Sequence, residues 1–254
     1  MVPDQFKLPP NRANLPATLL FLPGTLCDER MWEAQFLALS KDWACTFVDY
    51  RFEESIFAMA MTALAQVSGP LIPIGLSMGG MVALEIWHQA PERVSALALF
   101  DTDPGADTPE RCRNRDAQVL AATHGGFRSM VETQLAPAYA SPRNSAGTTA
   151  GAALRQKVIE MALDQGVAAF AAQVTALATR QDNWSLLGGI DVPTLVACGA
   201  DDQLCLPEWH RRMAAIIPAS TFESIEAAGH LSCLEQPDAT TRLLQIWLEG
   251  LRSL

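Results

Sequence analysis

The sequence is poor in basic residues, and this excludes several classes of function. Its 254 residues include 18 lysines and arginines against 28 aspartates and glutamates, a formal net charge of −10 at pH 7. A chain this acidic lacks the positive patch with which proteins bind nucleic acids or anionic membrane surfaces. We therefore expect no nucleic-acid partner.

The sequence also lacks the spacings of a disulfide framework or a zinc site. Its six cysteines are scattered without a C-x-x-C pair, which favours free thiols in a reducing compartment. Its four histidines are not spaced as metal ligands, so we expect no metal and no cofactor. We find no basic start followed by an apolar run, and no apolar stretch of membrane-spanning length. These absences predict a cytoplasmic protein without a secretory signal or membrane span.

Short apolar runs alternate with helical patterns along most of the chain. The runs are nearly continuous in apolar residues, as expected for parallel strands buried on both faces. We predict an α/β fold with a mainly parallel sheet of about six strands flanked by helices. The predicted strands are Thr18–Leu22, Ala44–Asp49, Leu71–Gly75, Val94–Phe100, Thr194–Cys198 and Thr221–Ile225, and the predicted helices are Arg30–Ser40, Ser55–Val67, Met78–Gln89, Glu208–Ile216 and Ala239–Gly250.

The alternation stops between about Pro104 and Ile190. This stretch has helical patterns but no convincing strand, and it is too long to be one loop. Breakers divide it at Gly125-Gly126, at 137–151 and at Gly166. We predict that residues 1–103 and 191–254 form the core and that 104–190 form a helical cap inserted into it.

The strongest chemical signal is Gly75-Leu76-Ser77-Met78-Gly79-Gly80, between a predicted strand and a predicted helix. A serine on such a turn has a strained backbone and a projecting hydroxyl, and the flanking glycines leave room for the turn. This is the G-x-S-x-G pattern of a nucleophile elbow. The helix behind it offers backbone N–H groups to a developing oxyanion. Ser77 is therefore the candidate nucleophile.

A nucleophilic serine needs a base, and His230 is the best of the four histidines. It follows the last predicted strand and precedes the last helix, whereas His88 and His210 fall within predicted helices and His124 in the insertion.

The base in turn needs a carboxylate to orient it. Asp201 and Asp202 both follow the strand 194–198, and Asp101 and Asp103 after the strand 94–100 are rivals. The order serine, aspartate, histidine along the chain matches that of one particular fold.

With these residues assembled, the sequence resembles the α/β-hydrolase superfamily over essentially its whole length. It is similar to the branch of small bacterial esterases, enol-lactonases and cofactor-free haloperoxidases. Ser77 in GLSMGG matches the family nucleophile, and His230 in AGHLSCLEQP matches the family histidine. In GADDQLCLP, Asp202 matches the fourth position of the family's G-x-x-D. The resemblance implies an oxyanion hole made by the backbone N–H groups of Thr25 and Met78.

The chain departs from the family pattern in three places. Pro23-Gly24 replaces the usual His-Gly of the oxyanion loop, and the glycine-rich loop after the next strand is absent. The short segment before the first strand predicts a truncated or missing leading hairpin. We expect these departures to change the support of the oxyanion loop and the rim of the pocket more than they change the chemistry of the reaction.

The resemblance and the motifs together predict a metal-free serine hydrolase of a small carboxylic ester. A lactonase, thioesterase or C–C bond hydrolase on the same triad is an alternative, and a ligand-binding protein without turnover is the rival from another class. Its partner would be a small ester or lactone, and its oligomeric state is left open. We expect a mainly apolar pocket lined by cap side chains, namely Met130, Leu135, Tyr139, Met161, Phe170 and Trp184.

Overall fold

A six-stranded parallel sheet forms the centre of the structure, a computed structural model that describes residues 17–145 and 149–252. Its strands run in the order β2-β1-β3-β4-β5-β6, and every neighbouring pair is parallel, as predicted. The strands are β1 Thr18–Leu22, β2 Cys45–Phe47, β3 Leu71–Leu76, β4 Leu97–Phe100, β5 Thr194–Gly199 and β6 Ser220–Ile225. The predicted absence of a signal and of a full leading hairpin concerns residues 1–16, which lie outside the described residues.

Helices connect the strands and cover both faces of the sheet. They are α1 Glu33–Leu39, α2 Ile56–Gln66, α3 Met78–Gln89, α4 Pro109–Ala121, α5 Phe127–Met130, α6 Ala136–Tyr139, α7 Pro142–Ser145, α8 Thr149–Ala178, α9 Pro207–Ile216, α10 Ser232–Glu235 and α11 Pro237–Arg252. Short 3-10 turns lie at 29–31, 91–93 and 187–189, and π-type turns follow α4 and α5.

The alternation of side chains along the strands builds two apolar layers. Leu19 and Phe21 of β1 belong to the layer that includes α1 and α11, whereas Leu20 and Leu22 belong to the layer with α2, α3 and α9. The inner strands β1, β3, β4 and β5 are almost entirely buried, but the edge strand β6 alternates between half-buried and exposed residues. This arrangement explains why the inner strands read as continuous apolar runs.

The segment between β4 and β5 is helical, from α4 to α8. Gly125 and Gly166 have φ values of +91° and +82°, so both predicted glycine breaks are present. The predicted break over 137–151 is wrong in part, because α6, α7 and the start of α8 lie there. Pro137 and Pro142 stand in the first turns of α6 and α7, where a helix needs no N–H donor.

Helix α8 is long and apolar enough, by length and composition, to cross a membrane, which corrects the expectation that no stretch reaches that length. Its packing is that of a core helix. The most apolar window is 56% buried within the protein, and the helix is broken at Gly166.

The end of the sheet is tightly packed, and variants at two glycines test this. A Cβ at Gly199, the last residue of β5, would overlap the carbonyl oxygens of Ala228 and Gly229, whereas a Cβ at Gly250 in α11 meets nothing. We expect Gly199→Ala to lower the free energy of unfolding by about 1–3 kcal/mol. Gly250→Ala should leave it unchanged or raise it by up to about 1 kcal/mol. Urea denaturation of both variants measures this, and equal effects would contradict the packing described.

Candidate active site

The sharp turn between β3 and α3 projects Ser77 from the sheet. Ser77 has φ +58° and ψ −118°, a conformation that costs energy in a residue with a side chain. A Cβ at Gly75 would overlap the carbonyl oxygen of Gly79, and a Cβ at Gly79 would overlap that of Leu22. The two glycines are therefore required by close backbone approach, as the motif predicts.

Three side chains from three strand ends form a continuous hydrogen-bonded relay. His230 Nδ1 lies 3.0 Å from Asp202 Oδ2, and His230 Nε2 lies 2.9 Å from Ser77 Oγ. Because a carboxylate only accepts, Nδ1 carries the proton, which leaves Nε2 free to accept from the serine hydroxyl. The histidine and aspartate side chains are 3% and 0% exposed.

His230 and two backbone donors hold the carboxylate of Asp202 in its charged form. Its Oδ1 accepts from the N–H groups of Leu204 at 2.8 Å and Cys205 at 3.1 Å. Burial acts to raise the pKa of Asp202, but His230 and these two donors outweigh it and hold the pKa below its usual value. Asp202 is thus a charged partner for the imidazole.

The rival acids Asp201 and Asp103 face elsewhere. Asp201 accepts a hydrogen bond from Ser141 at 2.8 Å and pairs with Arg143 at 3.1 Å. Asp103 pairs with Arg111 at 3.0 Å. Neither hydrogen-bonds the histidine, so the structure brings together the acid that the resemblance favoured.

Asp101, the other buried acid, joins neighbouring elements of the fold. Its carboxylate accepts from the N–H of Gly199 at 2.7 Å and from the hydroxyl of Ser232. Burial and the nearby charge of Asp202 raise its pKa well above the usual value. Asp101 therefore ties the end of β4 to β5 and α10, the elements on either side of Asp202 and His230.

The backbone N–H groups expected to form the oxyanion hole are available. Neither Thr25 N nor Met78 N has a hydrogen-bond partner among the described residues. A Cβ at Gly24 would lie 3.4 Å from the Cβ of Ser77, so this loop packs directly on the elbow.

Both tyrosines of the chain support the oxyanion loop. Tyr50 donates to the carbonyl of Pro23 at 2.6 Å, and Tyr139 of α6 donates to the carbonyl of Thr25 at 2.9 Å. Gln173 of α8 accepts from the N–H of Leu26 at 2.8 Å. Side chains from the inserted helices and from the segment after β2 thus support the oxyanion loop, in which Pro23 stands where the family usually has histidine.

Comparison with known proteins identifies the family to which this fold belongs. A family model described as alpha/beta hydrolase fold matches residues 19–237. The chain belongs to the α/β-hydrolase family. The residues matched by the family model include Ser77, Asp202 and His230.

Individual relatives are hydrolases and related enzymes. The chain is 27% identical to an esterase from Thermogutta terrifontis, with a TM-score of 0.84 over 93% of this chain and 90% of that one. It is 29% identical over 181 residues to a Bacillus subtilis protein provisionally named 2-succinyl-6-hydroxy-2,4-cyclohexadiene-1-carboxylate synthase, covering 70% of this chain but only 65% of that protein. It is 25% identical to the pimeloyl-[acyl-carrier protein] methyl ester esterase of Neisseria meningitidis, covering 77% and 76%.

A cavity of about 230 Å³ lies between this α/β-hydrolase's serine and its inserted helices. Four of the six predicted apolar side chains line it, namely Met130, Leu135, Tyr139 and Phe170. The prediction is wrong for Met161, which is buried in the apolar core, and for Trp184, which stacks on Arg212 at 4.1 Å.

The cavity also has a polar wall that the expectation of a mainly apolar pocket missed. Arg111, Arg115 and Arg180 line it, together with Gln118 and Gln134. A signal was present in the sequence, because positions 111, 115 and 118 share one face of α4.

One group among the described residues has donor atoms close enough for a metal ion. Asp202, Cys205 and His230 each offer one atom, all within 4.8 Å of one another. Both histidine nitrogens are already engaged in the relay, and burial raises the pKa of the Cys205 thiol well above its usual value. A protonated thiol is a poor ligand, so this donor set fits a proton relay better than a metal site.

His210 supports the elbow from behind and is not part of the relay. The N–H of Thr102 donates to His210 Nε2 at 2.8 Å, so the proton lies on Nδ1, which faces the carbonyl of Leu206 at 3.1 Å. The hydroxyl of Thr102 donates to the carbonyl of Ser77 at 2.7 Å. Burial lowers the pKa of His210 to about 4.

This buried histidine predicts a loss of stability in acid. The unfolded chain binds the proton near pH 6.5 and the folded chain only near pH 4, so stability is lost as the pH falls between these values. The loss should reach about 3 kcal/mol, at 1.36 kcal/mol per pKa unit. His210→Gln, whose amide oxygen can accept from Thr102, should lack this component in urea titrations at pH 7 and pH 4. The exposed His88→Gln is the matched control, and equal pH slopes in all three proteins would contradict the prediction.

Proposed function

We propose that this α/β-hydrolase cleaves a small carboxylic ester through an acyl-enzyme on Ser77. The observation that carries the proposal is the unbroken relay from Ser77 Oγ through His230 to Asp202, whose serine and histidine line a cavity. A strained serine, a base and an orienting acid within hydrogen-bond distance are what nucleophilic catalysis requires.

Each residue has a defined role at each stage of the proposed reaction. His230 takes the hydroxyl proton of Ser77 while the serine oxygen attacks the ester carbonyl. Asp202 stabilises the imidazolium that forms. The N–H groups of Thr25 and Met78 donate to the oxyanion, and one such donor contributes roughly 3–4 kcal/mol. His230 then protonates the leaving alcohol, and water releases the acid with the histidine again as base.

The names of two relatives favour an ester, and the size of the cavity favours a small one. A cavity of about 230 Å³ suits a small substrate. The names of two relatives specify ester hydrolysis, in the proteins from Thermogutta terrifontis and Neisseria meningitidis. A lactone, a thioester or a C–C bond would be attacked by the same residues, and we treat these as outcomes of the test.

We assign residues 104–190 as the cap that shapes the pocket, and we place the protein in the cytoplasm. All six cysteines are free, and burial raises the pKa of the thiols at 27, 45, 198, 205 and 233. Protonated, buried thiols suit a reducing compartment.

Ser77→Ala is the first test of this proposal. Hydrolysis of p-nitrophenyl esters of graded acyl length should fall by several orders of magnitude, because the covalent route is lost. Circular dichroism should show an unchanged fold. The exposed Ser68→Ala is the control and should retain full activity, and a fluorophosphonate should label the wild type but not Ser77→Ala. An unchanged rate in Ser77→Ala would refute the proposal.

The two buried acids give a second test. Asp202→Asn should lower kcat by roughly 10³–10⁴-fold, since an amide neither holds the required tautomer nor stabilises the imidazolium. Asp101→Asn should lower kcat less than about tenfold, because an amide can still accept from Gly199 and donate to Ser232. The comparison uses kcat on one ester at pH 7. A larger loss in Asp101→Asn would show that the acid has been assigned wrongly.

A further inference from the structure

Three arginines line the cavity that contains the reacting groups. Arg111 and Arg115 come from α4 and Arg180 follows α8, and all three share this cavity with Ser77 and His230. A pocket for a neutral ester needs no cation, because an uncharged ester offers a guanidinium group no opposite charge to pair with. The proposed hydrolysis leaves these side chains unexplained.

The arginines are not fully neutralised by their neighbours. Asp103 lines the cavity beside them, and the side chain of Asp107 lies beneath them, 0% exposed. Three guanidinium groups against two carboxylates leave one unit of positive charge. This surplus lies inside a chain whose net charge is −10, and it faces the cavity that Ser77 and His230 line.

Arg180 serves as the anchor of this group. Its Nε donates to the carbonyl of Gly105 at 2.8 Å, and its Nη1 lies 2.9 Å from the carbonyl of Leu177 and 2.6 Å from Asp107. Its side chain is only 4% exposed. Most of its N–H groups therefore already donate to other groups of the protein.

Arg111 and Arg115 keep donors to spare. Arg111 uses Nη1 on Asp103 at 3.0 Å, and Arg115 uses Nε and Nη2 on Asp107. Within the described part of the chain, Nε and Nη2 of Arg111 and Nη1 of Arg115 have no hydrogen-bond partner. The two side chains are 41% and 24% exposed, so they are held in place but still accessible.

We propose that Arg111 and Arg115 bind a carboxylate of the substrate, so that the preferred ester is the half-ester of a short dicarboxylic acid. The planar guanidinium group of an arginine can donate two parallel hydrogen bonds to a carboxylate. The aspartates that pair with Arg111 and Arg115 hold their guanidinium groups in position. Apolar side chains, including Met130 and Phe170, line the space shared with the serine and suit a short hydrocarbon chain between the two polar ends. This inference rests on the proposed ester hydrolysis.

Paired substrates test the inference. Monomethyl esters of succinate, glutarate and adipate are compared with the same esters carrying a terminal carboxamide. The wild type should show a kcat/KM at least tenfold higher for the carboxylate at the best chain length. Arg111→Gln and Arg115→Gln should each lower this ratio about tenfold, and the double variant should abolish the preference.

Arg113→Gln is the matched control, because Arg113 lies on the same helix but is exposed and does not line the cavity. It removes the same charge from the chain and should leave the ratio unchanged. Arg115→Lys keeps the charge without the fork and should restore part of the preference. Melting temperatures of all variants separate a loss of folding from a loss of selectivity.

A binding measurement keeps this inference separable from the proposed function. Calorimetry with glutarate or adipate should detect binding to the wild type and to Ser77→Ala, and at least tenfold weaker binding to the double arginine variant. Inorganic phosphate is the comparison ligand. Tighter binding of phosphate would overturn the choice of a carboxylate.

Two further outcomes would also overturn the inference. The first is an equal kcat/KM for the carboxylate and carboxamide esters. The second is a set of arginine variants with lower melting temperatures but the wild-type ratio of kcat/KM. In that case the arginines would only stabilise the loop at 102–108. Either result leaves ester hydrolysis by Ser77 standing. Absence of hydrolysis and of fluorophosphonate labelling would instead refute the proposed function, while dicarboxylate binding would still report on the arginines.

Discussion

The strained backbone at Ser77 is the constraint on which the rest of the structure depends. A residue held at φ +58° persists only where its surroundings leave no alternative, and here the ends of two neighbouring strands supply that restraint. The N–H of Ser77 donates to the carbonyl of Phe100 at 3.0 Å, and Thr102 holds the serine carbonyl. On the other side, the carbonyl of Leu22 packs against Gly79. The core of the sheet thus stabilises a turn that would be unfavourable on its own.

The second organising element is the arrangement of buried charge around the relay. Asp101 and Asp202 lie close enough to influence each other, and their pKa values move in opposite directions: burial and the charge of Asp202 raise the pKa of Asp101, whereas His230 lowers that of Asp202. One acid can therefore join strand ends while the other remains charged. A second group of charges surrounds Asp103 and Asp107. Three arginines there face two carboxylates, which leaves one unit of positive charge for a ligand.

Local signals in the sequence were sufficient to predict the sheet, Ser77 and His230, whereas the choice of Asp202 among the rival acids came from the family resemblance. Ser77, Asp202 and His230 each follow a strand of the same parallel sheet, so their side chains converge at its carboxyl edge once the strands are placed. The lining of the pocket could not be predicted in the same way. Which face of α4 meets the serine depends on how the inserted helices pack, and this decides that arginines face the cavity while Met161 does not.

The acyl-enzyme on Ser77 is the central claim, and rapid-quench mass spectrometry tests it most directly. Wild-type protein is mixed with an excess of a p-nitrophenyl ester, quenched in acid within milliseconds and digested. The peptide containing Ser77 should gain the mass of the acyl group, in proportion to the initial burst of p-nitrophenol. Steady hydrolysis without acyl mass on that peptide would contradict the account, because water would then attack the ester directly.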